Sequence, residues 1–163
     1  MTETNVPLQR FVEAAQAFCQ LVERYGSYGF DSKRWLEELG QVLLRLHATI
    51  AALKVTVGEG DYSMLQDLEE RFVLFQQLKR FLGGLDEYWS EGDLEAGDGL
   101  KTGSLADDVT DMYFDLRRGL NQLQAEPGEE RKALEMWLYS YRVHWQQHLR
   151  DATRQLFEFR IAS

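Results

Sequence analysis

Two histidines four residues apart, His144 and His148, and a row of aspartates, Asp108, Asp111 and Asp115, are the side chains of this sequence best suited to do chemistry. Imidazoles at i and i+4 project from one side of a helix, a spacing that many metal sites use. Aspartates at i, i+3 and i+7 share one flank of a helix, where they repel one another unless a cation answers them. If the two segments are antiparallel neighbours, two imidazoles and a carboxylate can meet, a donor set that suits a divalent metal such as Fe(II), Mn(II) or Zn(II). The HExxH signature is absent, since Val143 precedes His144 and Trp145 follows it. A second account needs no metal. Acids near a helix N-terminus offset its dipole, Arg117 and Arg118 pair with Asp115 or other acids, and each histidine bonds a carboxylate, tyrosine or carbonyl at the edge of the core.

The carboxylates also support a reading of their own. Asp107, Asp108, Asp111 and Asp115, joined by Glu69 and Glu70 or by Glu37 and Glu38, supply the oxygen ligands that Mg2+ takes. This pattern resembles the acidic helices of all-α nucleoside triphosphate pyrophosphohydrolases of the MazG type, which implies metal-dependent phosphoanhydride hydrolysis. The sequence departs from that family in lacking its Glu-x-x-Glu motif as such. The run from Asp93 to Gly99 has the acid density of a calcium loop. It places Asp98 where an EF-hand needs glycine and lacks the closing glutamate, so it reads as a solvated turn. No phosphate-binding glycine loop, nucleophile elbow or Cys-x-x-Cys occurs, and nucleophile-based catalysis is unsupported.

Charge points to a different function. From Gly83 to Asp115 the chain carries ten acids and one base, Lys101, and this local charge of −9 equals the formal net charge of all 163 residues. The leading expectation is therefore a non-enzymatic interaction module. Its acidic surface of Asp86, Glu87, Glu91, Asp93, Glu95 and Asp98 would contact a protein partner or a second copy of the chain. A sequence pI near 4.8 argues against nucleic-acid binding, which rests on Lys and Arg neutralising phosphates. No run of eighteen apolar residues spans a membrane. One cysteine, Cys19, and no charged n-region before an apolar run suggest a cytoplasmic protein, with Cys19 a buried, inert thiol.

The elements that must position these groups are helical, and 163 residues suit a single helical domain, residues 1–163. Leu8, Phe11, Val12, Ala15, Phe18, Val22 and Tyr25 predict a first helix from Asn5 to Tyr25. Trp35, Leu36, Leu39, Val42, Leu43, Leu46, Ile50, Leu53 and Val57 predict a second, capped by Asp31 or Ser32 and stopped at Gly58-Glu59-Gly60, with His47 a structural histidine at its edge. Ser63-Met64-Leu65-Gln66 is a capping box for a third helix that ends at Gly83-Gly84. Leu65, Leu68, Phe72 and Phe75 make one face of it and Val73, Leu74, Leu78 and Phe81 others, so it is either central or covered by a partner. Leu85 to Gly103 reads as a long, irregular, glycine-containing acidic loop pinned by Tyr88 and Trp89. Ser104 caps a fourth helix with a Leu105, Val109, Met112, Leu116, Leu120 and Leu123 stripe, beside which Gly119 admits a close crossing. Pro127-Gly128 turns the chain into a fifth helix reaching Phe159, with Leu134, Trp137, Tyr141, His144, Trp145, His148, Ala152, Gln155 and Phe159 on one face. Arg142, Arg150, Arg154 and Arg160 lie near its polar side, where they can pair with the acidic segment.

The fold class expected is all-α: a mostly antiparallel bundle of about five helices with the acidic loop between the third and fourth. Two blocks, Ser104 to Leu120 and Trp137 to Leu149, the latter built on His144-Trp145-x-x-His148, resemble a family of small all-helical bacterial proteins catalogued as domain of unknown function 5063. The resemblance implies a helical fold over nearly the whole chain. It implies no activity and no catalytic residue.

Overall fold

The predicted apolar stripes become helices because each finds a neighbour to bury it. The structure, a computed structural model, describes residues 5–53 and 68–162. Helix α1 (Asn5–Glu23) and helix α2 (Ser32–Ala51) pack together across a 3-10 turn at Tyr25–Tyr28. The Asp31 carboxylate caps α2 by accepting from the Arg34 amide (3.2 Å). Phe11, Ala15, Phe18 and Val22 meet Trp35, Leu39, Leu43 and Leu46 in the core, and the Trp35 indole donates to the Leu21 carbonyl (3.0 Å). Helix α2 ends at Ala51 rather than Val57. Its expected glycine stop and the Ser63–Gln66 capping box lie outside the described residues. His47 bonds Thr153 through Nε2 (2.9 Å), the structural role expected of it.

The central helix is the fourth main one, not the third. Helix α3 (Leu68–Leu82) packs on α5 (Leu105–Ala125), and α5 also meets α1, α6 (Glu130–Ser140) and α7 (Gln146–Ala162). Among the described residues, α3 has its main neighbour, α5, on one face. Arg71, Leu78 and Leu82 are buried there, while Leu68, Phe72 and Val73 are more than half exposed. Ser104 caps α5, its Oγ accepting from the Asp107 amide (3.2 Å). Asp108 pairs with His148 of α7 and Asp115 with His144 just before it, so α5 and α7 run antiparallel. Gly119 sits against the Trp137 ring, the close approach its position suggested.

The acidic connection is ordered rather than irregular. A two-residue strand, β1 (Glu87–Tyr88), pairs antiparallel with β2 (Gly103–Ser104), and a single helical turn, α4 (Asp93–Ala96), lies between them. Two-residue strands carry no periodicity for a sequence reading to find. Gly92 (φ 86°) and Gly97 (φ 69°) flank α4 in the left-handed region, a conformation that a Cβ disfavours. Tyr88 is buried, but Trp89 is 42% exposed and lies beside the Lys101 ammonium, 5.8 Å from the ring centroid, so of the two aromatics the tyrosine is the one that pins the segment.

The fifth predicted helix is two helices with a π-turn between them, Tyr141–Trp145. There the Gln146 amide donates to Tyr141 O, five residues back, which inserts an extra residue into the helical turn. Downstream, the buried stripe becomes Trp145, Leu149, Ala152 and Leu156, one position later than the His148 and Gln155 expected of a regular helix. His148 therefore moves to the flank of the core. The Phe159 and Arg160 side chains lie outside the described set.

Among the described residues, no helix is long and apolar enough to cross a membrane. Cys19 is fully buried, and that burial pushes its thiol up to about 12. Iodoacetamide at pH 8 should consequently modify Cys19 only after denaturation; rapid labelling of the folded chain would contradict the packing.

Candidate metal centre

Helix α5 presents Asp108, Asp111 and Asp115 along one flank, and the π-turn and first turn of α7 present His144 and His148 opposite them. The two imidazole rings stand edge to face with centroids 5.0 Å apart. His148 Nε2 lies 3.1 Å from Asp111 Oδ2, and His144 Nε2 lies 3.7 Å from that same oxygen. Three donors thus converge, and each is held from behind. Asp115 Oδ2 takes His144 Nδ1 at 2.6 Å, and Asp108 Oδ1 takes His148 Nδ1 at 2.8 Å. The other Asp111 oxygen, Oδ1, accepts from Arg71 of α3, whose second amino group is 3.6 Å from Asp115. The Asp108 Oδ2 atom accepts from the Tyr88 hydroxyl.

Electrostatics follow the geometry. Burial penalises the charged form of His148, but its hydrogen bonds to Asp108 and Asp111 outweigh that and raise the imidazole to about 10. His144 is raised for the same reasons, with Asp111 and Asp115 as its partners. Asp111 is also penalised by burial, and its hydrogen bonds to both histidines still hold it well below the usual carboxylate range. Asp108 goes the other way: desolvation lifts it to about 6 despite His148 and Tyr88. The side chains of Arg71 (6% exposed) and Asp115 (0%) form the floor, whereas Asp111 (16%), His144 (14%) and His148 (20%) reach solvent.

The structure therefore brings together all five residues whose spacing suggested a site. Among the described residues, Glu37, Glu38, Glu69 and Glu70 join no group able to share an ion with them. Among the described residues, the groups able to share an ion are Asp111 with His144 and His148, and Asp107 with Asp108 and His148. Arg71 and Tyr88 were not among the sequence candidates. Arg71 had a signal, since Leu68, Arg71, Phe75, Leu78 and Leu82 recur at alternating steps of three and four, which makes Arg71 the one charge on a helical stripe. Tyr88 had none beyond being an aromatic in an acidic stretch.

The acidic surface is smaller than its sequence. Asp86 and Asp93 are buried, because each carboxylate closes a loop. Asp86 accepts from Lys79 Nζ (2.9 Å), Ser104 Oγ (2.9 Å) and the Ala106 amide (2.7 Å). Asp93 accepts from the Ser90 amide (2.7 Å), the Thr102 amide (3.0 Å) and Thr102 Oγ1 (2.7 Å). Glu87, Glu91, Glu95 and Asp98 are exposed, with Glu91 paired to Arg154 (3.0 Å) and Glu87 near Lys79 (3.5 Å).

An all-helical bundle with a buried aspartate–histidine–arginine network between three of its helices is the class of protein these features define. The chain belongs to the family described as Domain of unknown function (DUF5063), whose model matches residues 3–162. It is similar to protein BF1032 from Bacteroides fragilis, known from a crystal structure, with a TM-score of 0.71. That match covers 94% of this chain and 92% of the other at 20% identity, a likeness of fold. No curated protein matches the chain.

Proposed function

We propose that this protein is a metal-binding helical bundle in which Asp111, His144 and His148 hold one divalent transition-metal ion. The observation that carries this reading is the convergence of two Nε2 atoms on one Asp111 oxygen while each ligand's remaining polar atom is held by a buried partner. Ligands about 2.1 Å from one ion and about 90–110° apart lie roughly 3.0–3.4 Å from each other. The separations of 3.1 and 3.7 Å are near that range. Nδ1–H bonds to Asp115 and Asp108 fix both Nε2 atoms as the donors, the carboxylate–histidine arrangement that supports metal sites. A cation would take the place of the Nε2 protons and relieve the crowding of aspartates.

Three protein ligands leave coordination positions open, which fits a centre that binds water or substrate better than a closed structural one. Such an ion supplies Lewis acidity and an activated water, and the hydrolytic chemistry suggested by the aspartate pattern falls within that range.

Thermal unfolding of demetallated protein with Mn2+, Fe2+, Zn2+, Mg2+ and Ca2+, each with and without chelator, tests the proposal. An ion at about 100 times its dissociation constant adds about 2.7 kcal/mol and raises the midpoint by roughly 5–10 °C. The imidazole donors predict this for a transition metal and little for Mg2+ or Ca2+. The rise should vanish in Asp111→Asn and in a His144→Ala/His148→Ala chain. No shift with any ion would refute the metal reading.

A second reading, contact with another protein, is favoured by the exposed Leu68, Phe72 and Val73 of α3 rather than by the acids. Sedimentation of the chain at rising concentration, with Phe72→Ser as the control, separates self-association from a monomer.

A further inference from the structure

The acidic excursion between α3 and α5 touches the candidate centre through one side chain, and its internal bonds are arranged to hold that side chain in place. Tyr88, 3% exposed, donates its hydroxyl hydrogen to Asp108 Oδ2, while Asp108 Oδ1 takes the Nδ1–H of His148. Both oxygens of that carboxylate are thereby committed, one to the excursion and one to the imidazole. Behind Tyr88 the backbone is clasped. Glu87 and Tyr88 pair with Ser104 and Gly103, and the ring lies so close to Gly103 that a Cβ there would fall 2.3 Å from Cε2. The Asp86 carboxylate ties the start of the excursion to Ser104 and to the first turn of α5, and the Leu105 amide donates to the Asp86 carbonyl (2.9 Å). Asp93 ties Ser90 to Thr102 across the loop. The exposed tip adds the Glu91–Arg154 pair to α7.

We infer that residues 86–104 form a strap that sets metal affinity, with Tyr88 the positioning residue that aims His148 through Asp108. The inference rests on the metal reading above and adds a means of regulation to that site. Asp108 without Tyr88 is free to rotate about its χ2 and release Nδ1, and an imidazole whose Nδ1 is unheld presents Nε2 in a spread of directions. Linkage makes the effect reciprocal: an ion that needs His148 aimed stabilises the seated strap, and whatever lifts the strap weakens the ion. Anything that draws on Glu91, the residue that ties the tip to Arg154, then acts on the centre from outside it.

The experiment uses Co2+ as the probe, because its visible ligand-field absorption reports ligand number and geometry as well as occupancy. Dissociation constants and spectra are compared for the wild-type chain, Tyr88→Phe and, as a control on the strap tip, Glu95→Gln. The expected result is a several-fold to roughly 10-fold weaker Co2+ affinity in Tyr88→Phe with a changed spectrum, the lower end of the range seen when a ligand's direct partner is removed, because Tyr88 acts one bond further out through Asp108. The Glu95→Gln chain should match the wild type in both. A tyrosine that only packed the fold would lower the metal-free melting point and leave the spectrum alone. Hydrogen exchange on the wild-type chain supplies a reading that does not depend on any variant folding: Co2+ should raise protection of the amides in 87–104. Wild-type Co2+ binding without that gain in protection, or Tyr88→Phe with wild-type affinity and spectrum, overturns the strap while leaving the metal site standing. Absence of Co2+ binding by the wild-type chain overturns both.

Discussion

Replacing Arg71 with methionine is expected to lower stability by about 3–5 kcal/mol, and the melting point by roughly 10 °C. The guanidinium is a permanent cation in a network that contains Asp108, Asp111 and Asp115, and its side chain is 6% exposed. It binds Asp111 Oδ1, lies 3.6 Å from Asp115 Oδ1 and rests over the Phe114 ring at 5.2 Å. Methionine fills much of the same volume, so the loss reports charge rather than a cavity. The buried Asp115 and the part-buried Asp111 would then lose this cation, and taking one partner from a buried ion pair is far costlier than never having buried the pair. The same variant should gain more from a saturating divalent ion than the wild-type chain does, because the ion would then supply the missing positive charge. Urea denaturation of both chains with and without the ion measures this. A loss below about 1 kcal/mol would mean that solvent already screens these aspartates.

Gly119→Ala should destabilise the protein by about 3 kcal/mol, against the sign that helix propensity gives. Alanine in a helix interior is worth close to 1 kcal/mol over glycine. At position 119, however, a Cβ would fall 2.0 Å from Nε1 and 2.1 Å from Cε2 of Trp137. That indole has nowhere to go. It is fully buried, packs edge to face on Phe11 at 5.0 Å, and donates to the Leu116 carbonyl at 3.0 Å. Overpacking of this kind costs about 1–3 kcal/mol, and a buried indole N–H left without its acceptor costs about 1–3 more. Thermal melting followed by tryptophan fluorescence decides the sign. A rise in midpoint would show that α5 and α6 can separate more easily than this packing allows.

Much of the bundle was legible because its helices obey simple periodicity. The Trp35, Leu39, Leu43 and Leu46 stripe and the Ser104 cap appear where spacing puts them. The meeting of the aspartate row with the histidine pair was legible only as a condition. A four-residue connection between α5 and α6 favours antiparallel neighbours, but spacing cannot say which flank of α5 faces α7. Arg71 could have been found from its place on the α3 stripe. Tyr88 could not, since it reaches Asp108 across twenty residues by way of strands two residues long. The acidic surface was over-read because charge counts do not reveal which carboxylates turn inward to accept backbone amides, as Asp86 and Asp93 do.

The π-turn at Tyr141–Trp145 gives the last arm of the bundle two phases instead of one. Upstream, the screw of the helix is set so that Ala133, Leu134 and Trp137 face inward; downstream it is set for Trp145, Leu149, Ala152 and Leu156. An uninterrupted thread joining Trp137 to His148 would aim that imidazole at the apolar interior and turn Leu149 away from it. The surplus residue acts as a vernier, offsetting one half of the arm against the other until the aliphatic side chains and the imidazoles each face their own partners. Chain length in this segment is therefore part of the site's specification, and a single-residue change of length here would act like a substitution at every position beyond it.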